Sequence, residues 1–249
     1  VTDLGGYPRP HLAVDLVILT AGVLRPDDDR VSLGVLVQRR PDGRAVLPGR
    51  FVRERHTVLE TVRELLAEKL DFRPRRDVHL EVLDMYDAPD RDERGWVVSV
   101  GHLTTLRPDD VARLSPDLVE VLPVAGNAAR GRRVTREALA HDHDAMVTTA
   151  VRRARRRYER SPDPLRLVRA PYTLSQLRHV HEAVLGEPLK RDTFNRRMQP
   201  FLTPATDAGG DLLVSDTGGR PAQLFRPTAA KDRDPEAGPF PLPRTAAAR

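Results

Sequence analysis

A chain of 249 residues with 39% hydrophobic content can build one large or two medium domains around a packed core. It holds no cysteine, which excludes disulfides and thiolate metal sites and fits a cytoplasmic protein. No apolar run is long enough to span a membrane, the first ten residues (with Asp3, Pro8, Arg9 and Pro10) do not read as a secretory leader, and the net charge of +5 leaves an anionic partner open.

In chain order, His11–Thr20 and Val31–Arg39 read as strands separated by a Pro-Asp-Asp-Asp turn. Ala45–Leu47 is a short strand entering Pro48–Leu70. There Thr57 and Glu60 form a capping box, which predicts a helix start. Leu59, Val62, Leu65, Leu66 and Leu70 fall on one apolar face. Glu60, Glu64 and Glu68 recur every four residues on another. Like charges at that spacing repel by roughly 0.2–0.5 kcal/mol per pair, so a nearby cation is expected, with Arg53 or Arg55 as the source. Val78–Tyr86 and Trp96–Leu106 read as strands joined by a charged loop, Asp87–Gly95. Val121–Pro123 reads as a last short strand and Thr135–His141 as a partly helical connection. Together these predict a mixed α/β sandwich.

A second helix is expected after Asp142 or His143 as its cap. Met146 or Val147, Ala150, Val151, Ala154 and Tyr158 form its apolar stripe, and Arg152, Arg153, Arg155, Arg156 and Arg157 cover much of the rest. The Arg run reads as a solvated or phosphate-facing flank. Ser161-Pro162-Asp163-Pro164 ends the helix, and the domains are divided here, residues 1–150 from 151–228. Residues 1–150 are net −3 and residues 151–200 net +8, so the basic surplus sits in the second half and points to a polyanion. Thr173 and Gln176 form a second capping box, Leu174, Leu177, Val180, Val184 and Leu185 the apolar face, and Gly186 the stop. A further helix over 191–200 buries Phe194, Met198 and Phe201. Leu212–Ser215 and Pro221–Arg226 then read as a hairpin. Helix, turn, basic helix and hairpin is the order of a winged helix-turn-helix. Residues 229–249, rich in Pro, Ala and charge, read as a disordered tail. The pairs His141/His143 and His179/His181 are taken as a cap and surface residues, because a spacing of two puts such pairs on different sides of a helix.

Pro48–Leu70 resembles a Nudix box. With Gly49 as its first Gly, Arg63-Glu64 and Glu68 fall in place, whereas Arg55 and Ala67 stand at Glu positions and Leu70 at the closing Gly. Pro89–Val98, His141–Ala145, Thr173–Met198 and Gly219–Arg226 extend the likeness, over about residues 11–227, to the Nudix-related transcriptional regulators of the NrtR family. The implied fold is α+β, an N-terminal Nudix-like α/β/α sandwich with a C-terminal winged helix-turn-helix. The implied function is a homodimeric repressor on near-palindromic operators, governing NAD-metabolism or related genes and sensing ADP-ribose or a relative.

For the ligand, Arg39, Arg50, Phe51, Glu64, Glu68 and Arg94 are the candidates, since guanidinium suits bidentate phosphate contact. Glu64 and Glu68, one turn apart, are the residual metal candidates. With two box carboxylates missing, no metal is required, Mg²⁺ binds weakly at most, and no enzyme is expected. For DNA, Lys190, Arg191, Thr193, Asn195, Arg196 and Arg197 lie on the basic helix and Arg220 at the wing tip. Two other readings stay open: an active Nudix pyrophosphatase with a DNA-binding appendage, and a ligand-independent repressor whose Nudix half only dimerises.

Overall fold

The computed structural model describes residues 6–25, 28–73, 80–125, 134–215 and 221–228. The expected turn at Pro26, the start of the strand at Val78, the wing-tip Arg220 and the tail from 229 all lie outside them.

The chain is built around β1 (His11–Arg25), which runs five residues past the strand expected from the sequence. Its residues alternate between two faces, as a strand's must. Val17, Leu19 and Ala21 enter one apolar cluster, and Val14, Leu16 and Ile18 the other. A strand buried on both sides reads as the continuous apolar run seen at this point in the sequence. β1 pairs antiparallel with β2 (Asp28–Arg39) and parallel with β6 (Val97–Thr105). β2 carries β3 (Ala45–Val46) and β7 (Glu120–Pro123), β6 carries β5 (Glu81–Tyr86), and β4 (Gly49–Phe51) pairs with the start of β1.

Helix α1 (Val58–Lys69) covers one face of this seven-stranded sheet. Both halves of its capping box are made, Thr57 accepting from the Glu60 amide and Glu60 from the Thr57 amide. Val62, Leu65, Leu66 and Leu70 are buried, but Leu59, expected among them, is 44% exposed. A four-residue helix, α2 (Pro108–Val111), was not expected. The segment 135–141 is not helical: Thr135 bridges to Val124 and Leu139 to Ala45, so it extends along the sheet's rim.

The opposite face is covered by α3 (His143–Tyr158), whose Met146, Val147, Ala150, Val151, Ala154 and Tyr158 join the sheet's cluster. The division drawn at 150/151 therefore falls inside one uninterrupted helix. α4 (Leu174–Leu185) has its capping box at Thr173/Gln176 and ends on Gly186 at φ 77°, the left-handed cap that glycine favours. It is shared by two cores: Val180 and Val184 pack with the sheet, while Leu177 packs with Tyr172, Phe194, Met198, Leu202 and Phe225.

α5 (Arg191–Met198) is shorter than expected, because Gln199–Phe201 tightens to a 3₁₀ turn. The wing is also more elaborate than one hairpin. β8 (Leu202–Pro204), which sequence reading missed, pairs with β9 (Phe225–Pro227). The expected strands 212–215 and 221–226 meet at the Val214–Gln223 bridge. Among the described residues no helix is long and apolar enough to cross a membrane.

Candidate functional site

Two groups of side chains carry the chemistry, one beside the degenerate box and one on α5. Pairing of β4 with β1 sets Arg50 opposite Val14 and beside α1. Its guanidinium lies 3.2 Å from Glu64 Oε2 and donates to Glu68 Oε2 at 2.7 Å. Glu64 is also approached by Arg53 at 3.5 Å and by His56 Nδ1 at 3.3 Å. The expected cation is thus present, but it comes chiefly from Arg50. Arg55 contributes nothing to this face: its side chain is 91% exposed, its backbone sits at φ 65°, and its ion-pair neighbour is Glu54.

The Arg50 hydrogen bond holds the Glu68 carboxyl below its ordinary pKa, and burial together with Arg50's charge holds Lys69 below its own. The Lys69 ammonium donates to the Gly49 carbonyl. Nudix chemistry elsewhere uses a divalent metal, and the donor set here does not fit one. The two remaining carboxylates already grip a guanidinium, and among the described residues no three His, Cys, Asp or Glu side chains gather around a common point.

Phe51 and Arg94 pair with each other, the Arg94 guanidinium lying 5.2 Å from the Phe51 ring centre. Arg94 also grips Asp92 at 2.7 Å, which holds that carboxyl well below the usual carboxylate range. Arg39 does not join the group beside the box. Its guanidinium bridges Glu120 and Glu137, each at 2.7 Å, so its charge serves to tie β7 and the 135–141 segment to β2.

Behind the group lies a buried polar network that sequence reading missed. Asp15 of β1 accepts from Ser99 Oγ at 2.7 Å and lies 3.4 Å from Arg91, whose guanidinium makes two bonds to Asp142 at 2.9 and 2.7 Å. The Leu47 amide donates to His143 Nδ1 at 2.9 Å, which puts the ring proton on Nε2, 3.6 Å from Asp15 Oδ1. Burial would raise the Asp15 pKa, but the His143 and Ser99 bonds and Arg91 outweigh it, and the carboxyl stays below its ordinary value. Asp142, expected as a helix cap, makes no capping bond and is given to Arg91 instead. His143, the alternative cap, and His181, expected at the surface, are both buried. The signal available was Asp15 itself, a lone carboxylate inside an apolar strand, because a buried charge requires partners.

On α5, Phe194 and Met198 face inward and leave a polar rim. At 100° per residue Arg196 lies opposite that buried stripe, with Arg191 and Asn195 on one flank and Thr193 and Arg197 on the other. Lys190 stands exposed at the N-cap. Arg197 is half-buried, and its Nη1 has no hydrogen-bond partner among the described residues. A short helix presenting three arginines around an asparagine, braced by a wing, can meet phosphates and base edges together.

Comparison with known proteins matches both halves of the chain. The family described as the NrtR DNA-binding winged helix domain matches residues 164–226. Over 232 residues the chain is 25% identical to the ADPR responsive transcriptional repressor NtrR of Acinetobacter baylyi, covering 88% of this chain and 83% of that protein. The crystal structure of Shewanella oneidensis NrtR aligns with TM-score 0.65 at 30% identity, covering 87% of this chain and 94% of that one. The same Shewanella protein complexed with a 27mer DNA gives TM-score 0.65 and 30% identity, over 87% and 93% of the two chains. A MutT/nudix family protein from Enterococcus faecalis, 20% identical over 91% of this chain and 90% of its own with TM-score 0.69, shares the fold.

Proposed function

The chain belongs to the NrtR family of Nudix-related transcriptional regulators, and from that membership we propose that it is a DNA-binding repressor whose Nudix half senses ADP-ribose or a close relative. The observation that carries the sensing half is Arg50 held between Glu64 and Glu68. A guanidinium at the two surviving box carboxylates supplies the positive charge that a metal would bring, without a metal's ability to activate water. Such a site holds a pyrophosphate and does not cleave it. Arg50, Phe51, Glu64, Glu68 and Arg94 are the proposed ligand residues, with Phe51, 40% exposed, available for stacking. Arg39 is left out because its partners, Glu120 and Glu137, lie outside the box group.

Lys190, Arg191, Thr193, Asn195, Arg196 and Arg197 are the proposed DNA contacts, with Arg220 at the wing. The sensing unit extends through α3, and the DNA-binding unit begins near residue 164, where the winged helix match starts. A homodimer in the cytoplasm would place two recognition helices on a palindrome with half-sites about 10 bp, or a multiple, apart.

The test is a titration of the whole chain onto an operator duplex, repeated with ADP-ribose, with and without Mg²⁺, while the nucleotide is followed by chromatography. The expected result is release of DNA with ADP-ribose recovered intact under both conditions. Formation of AMP and ribose 5-phosphate at a useful rate would overturn the sensor reading in favour of a pyrophosphatase. An effector that leaves DNA affinity unchanged would point to a ligand-independent repressor, because a ligand shifts the equilibrium only by its differential affinity for the two states.

A further inference from the structure

At the far end of α3 from Asp142 lies a cavity of about 550 Å³, lined by Arg153, Arg156, Arg157, Arg160, Ser161 and Pro164. Four guanidiniums border it. Arg153 and Arg157 are fixed at the sheet edge by one carboxylate, Glu81, at 3.1 and 2.8 Å, and Arg153 also donates to the carbonyls of Val82 and Leu83. Among the described residues Arg156 and Arg160 have no ion-pair partner, and both are exposed. The cavity therefore carries four positive charges against one negative.

A basic last turn favours a helix C-terminus by itself. That accounts for arginines along the helix but not for their convergence on one concavity, whose volume lies within the range of small-molecule sites. Guanidinium is the side chain suited to bidentate phosphate recognition. The surplus of three charges matches a ligand with two or more phosphoryl groups rather than a single phosphate.

The cavity is remote from the group beside the box and from the Asp15 network behind it. His143 and Arg157 stand fourteen residues apart on one helix, roughly 20 Å at 1.5 Å per residue. The rings of Tyr158, His181 and Phe194 meet edge-to-face in sequence at 4.8 and 5.1 Å, which places α4 between α3 and α5. One helix thus separates α5 from the turn of α3 that borders the cavity. We propose that the cavity is an anion site for a free, multiply phosphorylated small molecule, a second ligand site on the chain.

The experiment is calorimetric titration of the full chain with sodium triphosphate at fixed ionic strength. It is run on the native protein, Arg156→Ser/Arg160→Ser, Arg156→Lys/Arg160→Lys and Arg50→Ala, with an unrelated DNA duplex as a parallel ligand. With ADP-ribose present at saturation throughout, so that the Arg50 site is filled, one triphosphate per chain is expected. The serine pair should weaken it at least tenfold, the lysine pair by less, and Arg50→Ala not at all, while duplex affinity and melting temperature stay level. Both replaced residues are exposed, so folding is preserved, and each single serine variant gives a second reading. Triphosphate binding that survives the serine pair, or that is lost with Arg50→Ala instead, refutes the site. So does a serine pair that weakens the duplex and spares triphosphate, which would make the cavity a DNA flank.

Discussion

Gly49 owes its identity to a carboxylate one strand away. A Cβ at this position would run into Asp15 Oδ1, which is itself fixed by Ser99, Arg91 and His143 and cannot give way. Gly49→Ala is accordingly expected to cost about 1–3 kcal/mol, the range for overpacking a filled site. A thermal melt checks this, and a melting temperature within 1–2 °C of the native protein's would show that the network yields. The glycine was legible in the sequence as part of a box pattern, but its physical reason was not, because it depends on a residue 34 positions upstream. Arg50 illustrates the same limit. The need for a cation beside Glu64 and Glu68 followed from helical spacing. Which arginine met that need depended on strand pairing, since β4 directs Arg50 at α1 while the turn at Arg55 directs that side chain into solvent.

Elements with local causes were the readable ones. Both capping boxes, the glycine stop of α4 and the apolar stripe of α3 depend on residues within two turns of each other, and each stands where spacing put it. β8 and the extended 135–141 segment depend on partners far along the chain, and neither was foreseen. His181 is the element-scale residue with a measurable consequence. It is fully buried between Tyr158 and Phe194, donates from Nε2 to the Pro162 carbonyl and, among the described residues, finds no partner for Nδ1. Burial holds its pKa down at about 4. The unfolded chain takes up this proton at its ordinary pKa near 6.5, so between those values the unfolded state binds more protons than the folded one. Stability from His181 is complete above pH 6.5 and is lost as pH falls toward 4, by about 3 kcal/mol over the window. Denaturant titrations from pH 7 to 4.5 should show this slope, and His181→Phe should flatten it. An unchanged slope in the variant would assign the acid loss to other groups.

For the whole molecule, the sequence was legible as two halves in the right order with the right charges. The join between them was not, because a composition shift near residue 150 marks where side chains change character rather than where packing changes. The packing is continuous across the join through α4, whose Val180 and Val184 complete the sheet's core while Leu177 completes the winged helix's. Differential scanning calorimetry of the full chain should therefore give one endotherm with equal calorimetric and van't Hoff enthalpies. Two resolved peaks would mean the shared helix does not couple the halves. A helix with dual membership also limits how this molecule can be taken apart. Cutting after residue 160 strips the sheet of Val180 and Val184, and cutting before residue 164 leaves the reader with two valines and a buried histidine facing water. Neither fragment is a fair proxy for its half. Grafting this sensor onto another reader would have to carry α4 across as part of the graft.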